Sequence, residues 1–281
     1  MTRQATESEL SHAVYGDSGP WVVFVHGWAM NSGVFAEQAE MMKGRYRVLL
    51  VDLPGHGSSA PGSGKITVDA CAEKVANLIK KLGIAEPHLV GWSLGAQVIC
   101  KASLILPKGV KSLALVCGSP RFVAASEDDP TGVPPLKARV FREAVKNDFP
   151  GGIKFFIESF FDREKLDNEE FDGGEIGPER TKIIEKFLYK NFPPDKESAL
   201  ALLDDFHASD IRPILPGIGV PCLICHGGRD RITPVEGSDL WEGLSLVIRK
   251  MVFDGCGHAP FLTRPREFNE TLSAFLSGLI K

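Results

Sequence analysis

One serine in this chain stands between two glycines, in the segment Gly91-Trp92-Ser93-Leu94-Gly95. The pattern G-x-S-x-G is typical of a nucleophile elbow, a sharp strand-to-helix turn that exposes the serine hydroxyl at the edge of a sheet. Glycines flank such a serine because the strained turn brings neighbouring backbone close. The apolar run Pro87–Val90 predicts the strand, and Leu94–Leu106 predicts the helix. We therefore predict that Ser93 is a nucleophile; the alternative is an ordinary turn with a solvent-facing serine.

A serine hydroxyl is a poor nucleophile at neutral pH and needs an adjacent base. Among the seven histidines, His258 lies between the last predicted strand and the final predicted helix. A base in that loop reaches the carboxyl edge of the sheet, where the elbow also opens. We predict that His258 is the base, that His26 holds a loop by hydrogen bonding and that His226 caps a strand. The remaining histidines are weaker candidates: His12, His56, His88 and His207.

The base in turn needs a carboxylate that fixes its tautomer and stabilises the imidazolium ion. Asp230 follows the penultimate predicted strand, which gives the chain order Ser, Asp, His that an elbow of this type requires. The alternative for Asp230 is a surface-turn aspartate beside Arg229 and Arg231. We predict that Ser93, His258 and Asp230 form a catalytic triad.

Acyl transfer by such a triad also needs two N–H donors for the oxyanion that forms in the transition state. The first candidate is the backbone N–H of Leu94, the residue after the nucleophile. The second comes from the loop after the strand Trp21–Val25, where His26-Gly27-Trp28 stands. We predict that the backbone N–H of Trp28 is this second donor.

The elements around these residues alternate between short apolar runs and longer helical patterns, which is typical of a mostly parallel sheet with helices on both faces. An antiparallel edge strand is predicted at Ser11–Tyr15. The other predicted strands are Trp21–Val25, Arg47–Asp52, His88–Gly91, Lys111–Cys117, Pro221–His226 and Leu246–Phe253. The predicted helices outside the middle of the chain are Val68–Leu82, Leu94–Leu106 and Pro265–Leu279.

This rhythm stops in the middle of the chain, and we predict a helical cap insertion over residues 120–218. The core then consists of residues 1–119 and 219–281. Amphipathic segments predict helices at Leu136–Lys146, Ile153–Phe161 and Arg180–Tyr189, with a break at Pro150-Gly151-Gly152. Long connections in compact domains are usually functional, so we expect the insertion to select the substrate.

The motifs together resemble the α/β-hydrolase superfamily. They are His26-Gly27-Trp28, Asp52-Leu53-Pro54-Gly55-His56-Gly57, the serine pentapeptide, the Asp230 loop and Gly257-His258-Ala259-Pro260-Phe261. Within it, the tryptophans beside His26-Gly27 and Ser93 and the run from His258 to Phe261 are similar to BioH-type esterases. The resemblance implies hydrolysis of a pimeloyl methyl ester on an acyl carrier protein, in biotin synthesis.

The resemblance also implies basic residues on the insertion that contact the acidic carrier protein. Candidates are Lys137, Arg139, Arg142, Lys146 and Lys154, although an acidic run, Asp162–Glu179, follows them. Apolar side chains that could line an acyl pocket are Trp28, Trp92, Phe155, Phe156, Phe160 and Phe161. The alternative for the phenylalanines is that they form the core of the insertion itself.

Other activities of the same fold stay open: a general short-chain carboxylesterase, a carbon–carbon bond hydrolase, or a receptor that binds a small ligand without catalysis. Haloalkane dehalogenases and epoxide hydrolases, which are related enzymes, are disfavoured because they have an aspartate at the position of Ser93. Turnover of p-nitrophenyl acetate and p-nitrophenyl butyrate distinguishes an enzyme from a receptor.

Bulk composition excludes several further classes. A net charge of −4 over 281 residues gives no basis for nucleic-acid binding, which needs a concentrated basic surface. No apolar run approaches the roughly 18–20 residues that span a bilayer, and the polar start resembles no secretory signal. We expect a cytoplasmic protein without membrane association, cofactor or metal. The six cysteines are too few for a disulfide framework, and Cys222 and Cys225 are expected in a buried strand.

Overall fold

The apolar runs form a single seven-stranded sheet in the computed structural model, which describes residues 10–62, 64–106, 108–161 and 193–279. The strand order is β1-β3-β2-β4-β5-β6-β7, with β1 antiparallel at the edge and the other strands parallel. All seven predicted strands are confirmed. They are β1 (His12–Tyr15), β2 (Trp21–Val25), β3 (Arg47–Val51), β4 (His88–Trp92), β5 (Ser112–Val116), β6 (Cys222–Gly227) and β7 (Val247–Phe253).

Helices cover the sheet on both faces, as predicted. The core helices are α1 (Ala36–Met42), α2 (Val68–Lys81), α3 (Leu94–Ile105), α7 (Pro260–Thr263) and α8 (Pro265–Ser277). Those between β5 and β6 are α4 (Pro135–Asn147), α5 (Phe149–Glu158) and α6 (Lys196–Ala208). Parallel crossovers are right-handed, so the reversal of direction after β3 sends α1 to one face and α2 and α3 to the other. Accordingly α2 packs against α3, and α1 packs against α8.

The reversal of strand order also fixes where a site can form. Strands β2 and β4 lie side by side, although β3 separates them in the sequence. At such a switch point, the loops that follow the two strands leave a crevice at the carboxyl edge of the sheet. Those loops carry His26-Gly27-Trp28 and Ser93, so the topology brings the two predicted groups to the same crevice.

The predicted interruption between the helices α4 and α5 is present, but it lies at Asp148. The segment Pro150-Gly151-Gly152, where the sequence places the break, forms the first turn of α5. Asp148 caps this turn, because its carboxylate accepts a hydrogen bond from the N–H of Gly151 at 3.1 Å. Proline is tolerated there since N–H groups of a first turn have no intrahelical acceptor. The position predicted for the break was therefore two residues too late.

The other segments predicted for the insertion have different outcomes. Leu136–Lys146 is confirmed as α4, and Ile153–Phe161 overlaps α5. The predicted helix Arg180–Tyr189 and the acidic run Asp162–Glu179 lie outside the described residues. Within the described part of the chain, no helix is both long enough and apolar enough to cross a membrane. The six cysteines are all buried and free, and Cys222 and Cys225 lie in β6 as expected.

A buried histidine makes the stability of this fold depend on pH. His88 opens β4 with its Nδ1 2.7 Å from the Ser112 hydroxyl, and burial lowers its pKa from 6.5 to about 4, with Lys111 contributing. The unfolded chain therefore binds a proton that the folded chain does not, so stability is complete above the unfolded pKa and is lost as the pH falls. We expect His88 to reduce the free energy of unfolding by about 2 kcal/mol between about pH 7 and pH 5.

Urea unfolding of the wild type and of His88→Asn at several pH values measures this contribution. Asparagine keeps a polar atom near Ser112 but does not titrate, so the midpoint should fall less steeply with pH in the variant. Equal slopes in both proteins would contradict the assignment.

Candidate active site

The predicted elbow forms a strained turn between β4 and α3. Ser93 has φ 57° and ψ −121°, a conformation that costs about 1–3 kcal/mol for a residue other than glycine. Its N–H donates to the Val116 carbonyl at 2.8 Å, which ties the turn to β5. The flanking glycines are needed for space: a Cβ on Gly91 would lie 2.3 Å from the Gly95 carbonyl oxygen, and one on Gly95 would lie 2.4 Å from that of Val25. Sequence and topology thus hold the serine at the head of α3.

The structure brings His258 and Asp230 together. Nδ1 of His258 lies 2.7 Å from Oδ2 of Asp230, and both side chains are fully buried. The other carboxylate oxygen, Oδ1, accepts the N–H groups of Ile232 and Thr233 at 2.9 Å each. Burial raises the pKa of Asp230, but the nearby His258 and His226 and the N–H of Thr233 outweigh it, so the pKa lies below its ordinary value.

The ionised Asp230 fixes the tautomer of the imidazole. Because Oδ2 only accepts, Nδ1 of His258 carries the proton and Nε2 keeps a free lone pair. Nε2 is buried and has no hydrogen-bond partner among the described residues. A buried nitrogen with a free lone pair is suited to accept a proton from a hydroxyl.

Two aromatic residues hold the loop of the base. The indole N–H of Trp92 donates to the carbonyl of His258 at 2.8 Å, and the N–H of His258 donates to the carbonyl of Phe160 at 2.9 Å. The rings of Trp92 and Phe160 pack on each other and on His258, with centroids 5.2 to 5.7 Å apart. Gly257 has no room for a side chain, since a Cβ would lie 2.2 Å from the Phe160 carbonyl oxygen. Trp92 and Phe160 thus hold the backbone and the ring of His258 in place. Their contact with the substrate stays a prediction.

The two predicted oxyanion donors lie beside the elbow. Leu94 is the first residue of α3, so its N–H has no intrahelical acceptor. The loop that carries Trp28 passes close to Ser93, because a Cβ on Gly27 would lie 3.0 Å from that of Ser93. Over the described ranges, neither the Trp28 nor the Leu94 N–H has a hydrogen-bond acceptor.

His26 fixes the conformation of the Trp28 loop, as expected from the sequence. Its Nε2 accepts the N–H of Leu53 at 2.9 Å, so Nδ1 carries the proton and donates to the carbonyl of Gly27 at 2.8 Å. Burial lowers the pKa of His26, which keeps the ring neutral despite the nearby Asp52. The loop is therefore anchored to the segment after β3.

The sequence assigns His226 only to a strand end, but the residue contacts the loop over residues 228–234, which carries Asp230 and is called the acid loop below. Its Nε2 lies 2.9 Å from the carbonyl oxygen of Thr233, so Nε2 carries the proton, and it lies 3.5 Å from Oδ2 of Asp230. Burial lowers the pKa of His226, and the ring is neutral. The available signal was its position at the end of β6, four residues before Asp230.

Removal of the His226 N–H should loosen the acid loop. We expect His226→Leu to lower kcat for an ester about 10-fold with little change in KM, since it leaves a buried carbonyl unpaired. Glutamine can place an amide N–H near the position of Nε2, so His226→Gln should retain kcat within about 3-fold. Steady-state kinetics on both variants test this, and a folded His226→Leu with wild-type kcat would show that the contact has no such role.

Cys117 is a second residue that sequence reasoning placed only in a strand. It follows β5 with φ 46°, and its Sγ, a carboxylate oxygen of Asp230 and a ring nitrogen of His258 all lie within 4.8 Å of one another. Burial, with Asp230 nearby, raises the pKa of the thiol well above its usual value. A cation bound here would have to displace both the thiol proton and the proton shared by His258 and Asp230. The thiol therefore stays a neutral neighbour of the acid and the base.

A cavity of about 830 Å³ lies between the insertion and the core. It reaches the acid loop at Arg231 and Ile232 and has mainly apolar walls. The apolar walls come from Phe122, Val133, Ala138, Val140, Phe141, Ala144, Phe155, Phe156 and Phe161. Such a space suits an apolar chain. Of the phenylalanines predicted for an acyl pocket, Phe155, Phe156 and Phe161 line this cavity, whereas Phe160 packs on Trp92.

The fold and the elbow define a family. A family model described as the alpha/beta hydrolase fold matches residues 20–265, which is most of the chain. The chain belongs to the α/β-hydrolase family, as its motifs predicted.

Within this family, the chain is similar to particular esterases. A pimeloyl-(acyl-carrier protein) methyl ester esterase of Chromobacterium violaceum is 34% identical over 92% of this chain and 94% of the relative. One of Nitrosomonas europaea is 32% identical over 89% of this chain and 93% of the relative. Among solved structures, an esterase from Exiguobacterium antarcticum superposes with a TM-score of 0.81 at 25% identity, covering 95% of this chain and 96% of the other. The predicted resemblance to this group of esterases is confirmed.

Proposed function

We propose that this chain hydrolyses the methyl ester of a pimeloyl group carried by an acyl carrier protein, through an acyl-serine intermediate on Ser93. The chain is a carboxylic ester hydrolase of the α/β-hydrolase family. The observation that carries the mechanism is the 2.7 Å contact between His258 and Asp230, which leaves the buried Nε2 of the histidine without a hydrogen-bond partner among the described residues. The two relatives described above are named as esterases of this substrate, and this supports the assignment of the pimeloyl methyl ester.

Acylation follows from the protonation states at the site. Ser93 Oγ attacks the ester carbonyl carbon while Nε2 of His258 takes the hydroxyl proton. Asp230 stabilises the resulting imidazolium through Nδ1. The carbonyl oxygen gains negative charge and accepts the backbone N–H groups of Trp28 and Leu94. As the C–O bond breaks, the imidazolium gives its proton to the leaving methoxide, so methanol departs and the acyl group stays on Ser93.

Deacylation repeats these steps with water. His258 takes a proton from water, the hydroxide attacks the acyl carbon, and the same two N–H groups hold the oxyanion. The bond to Ser93 then breaks, Oγ recovers the proton from His258, and the carboxylic acid is released. The chemistry uses side chains and backbone of this chain alone.

The apolar cavity is the proposed site for the acyl chain. It meets the acid loop at Ile232, two residues after Asp230, and its far walls lie on α4 and α5. A pimeloyl methyl ester has an apolar methylene chain between its two carbonyl ends, so an apolar wall suits its middle.

The carrier protein is proposed to dock on the exposed basic residues of α4 and α5. Lys137, Arg139 and Lys146 are exposed on α4, and Lys154 on α5 is exposed and forms a long pair with Glu158 at 3.9 Å. Arg142, another predicted contact, instead donates from Nε and from one terminal nitrogen to Asp204 at 2.8 Å each. Its charge is therefore already paired, and it is omitted from the proposed docking surface.

Release of methanol from three substrates tests the proposal: methyl pimeloyl-acyl carrier protein, methyl pimelate without a carrier, and p-nitrophenyl butyrate. We expect kcat/KM to be at least about 10-fold higher for the carrier-bound ester than for free methyl pimelate. The double variant Arg139→Glu/Lys146→Glu, which leaves the cavity lining intact, should lose most of this preference and keep its activity on p-nitrophenyl butyrate.

Other results of these assays would favour one of the alternative activities. Equal activity on all three esters would overturn the carrier assignment in favour of a general short-chain esterase. Turnover of a carbon–carbon substrate in preference to esters would favour the second hydrolase class. No turnover of any ester by the folded wild type would favour a small-ligand receptor and reject the esterase.

A further inference from the structure

The side chain of Trp28 points away from the elbow and into the insertion. It is 2% exposed, and its indole N–H donates to the carbonyl of Ala199 on α6 at 2.7 Å. The edge of the ring meets Phe156 on α5 with centroids 4.8 Å apart, and Phe141 on α4 at 5.7 Å. One indole thus contacts all three α-helices described in the insertion.

The backbone of the same residue is the proposed oxyanion donor. Its neighbour Ala29 has φ 58°, a conformation that non-glycine residues adopt only when the surroundings enforce it. His26 fixes the start of this loop through Leu53 and Gly27, but it does not reach beyond Gly27. Within the loop, the N–H of Met30 donates to the carbonyl of Gly27 at a long 3.4 Å. The indole, with its 2.7 Å bond to Ala199, is the contact that ties Trp28 itself to another element.

The insertion also fixes the loop of the base. The carbonyl of Phe160, just after α5, accepts the N–H of His258 at 2.9 Å, and the Phe160 ring covers the imidazole. Both the oxyanion donor and the base are thus positioned by contacts with the same helical layer.

We infer that the Trp28 indole is a positioning group, which couples the seating of the insertion on the core to the geometry of the oxyanion donor. The insertion then contributes to the rate even with substrates too small to touch it. Loss of an oxyanion donor lowers kcat by about 10²–10³, and a displaced donor should cost part of that factor. This inference rests on the proposed esterase activity.

The test compares Trp28→Phe with a matched control. Phenylalanine keeps an aromatic ring but cannot donate to Ala199. In the control, Asp205→Ala, α6 also loses one hydrogen bond to the core, since Asp205 accepts the N–H of Val68, the first residue of α2, at 2.8 Å. Both variants weaken the seating of α6, but only one acts through the Trp28 loop.

With p-nitrophenyl acetate, whose acyl group is a single acetyl unit, we expect Trp28→Phe to lower kcat about 10-fold with KM within about 2-fold. The inhibition constant of butylboronic acid, which forms a tetrahedral adduct on the serine, should rise by a similar factor. Asp205→Ala should keep both values within about 2-fold, although its thermal midpoint falls by a comparable amount.

Equal kcat for Trp28→Phe and wild type, or an equal loss of kcat in Asp205→Ala, would overturn the inference. Phe156→Leu removes a ring contact of Trp28 and serves as a second variant if Trp28→Phe does not fold; its kcat with p-nitrophenyl acetate should fall as well. Inactive wild-type protein would instead reject the proposed function, so the two failures are distinguishable.

Discussion

Replacement of Ser93 by alanine is expected to lower kcat for ester hydrolysis by about 10⁶-fold, as removal of the nucleophile does in comparable triads. The proposed oxyanion donors are backbone groups and remain in the variant, so a residual rate of about 10³–10⁴ over water should persist. Steady-state kinetics with p-nitrophenyl butyrate measure the loss. KM should change little if the acyl chain binds mainly in the cavity.

A second serine provides the control for this variant. Ser119 is buried near the same edge of the sheet, where its hydroxyl donates to the carbonyl of Arg121 at 2.7 Å. Ser119→Ala should retain kcat within about 3-fold. A loss below about 10-fold in folded Ser93→Ala would remove Ser93 as the nucleophile.

The second large effect is expected for Asp230→Asn, at about 10⁴-fold in kcat. The N–H groups of Ile232 and Thr233 both donate to Oδ1, so the amide oxygen of asparagine should occupy that position. The amide nitrogen then faces Nδ1 of His258 and donates to it. His258 would have to carry its proton on Nε2, where it cannot accept the proton of Ser93.

Asp254 is the matched control because it lies closer to His258 in the sequence but is exposed. Asp254→Asn should keep wild-type kcat. The two variants are compared by kcat and by thermal midpoint, so that unfolding is separated from catalysis. A larger loss in Asp254→Asn than in Asp230→Asn would contradict the assignment of the acid.

The sheet and the convergence of the candidate residues followed from local patterns. Apolar runs located β2, β4 and β6, and the carboxyl ends of parallel strands necessarily meet at one edge. The structure accordingly places the histidine after β7 against the aspartate after β6 at 2.7 Å. Placement after a strand was therefore enough to pair the acid with the base.

The features that sequence reasoning missed depend on contacts between distant residues. The indole of Trp28 reaches Ala199, 171 residues away, and Arg142 pairs with Asp204, 62 residues away. No local pattern reports such partners, so the sequence places Arg142 among the candidate carrier contacts. The break predicted at Pro150 lies at Asp148, because proline is well suited to the first turn of a helix.

The most direct test of the central claim is covalent trapping with a fluorophosphonate, followed by peptide mass mapping. The account predicts a single adduct on Ser93, with loss of esterase activity in proportion to labelling, and no adduct in Ser93→Ala. Labelling should also slow strongly in Asp230→Asn, because the same base activates the serine. Wild-type protein that hydrolyses esters but carries its adduct on another residue would contradict the account.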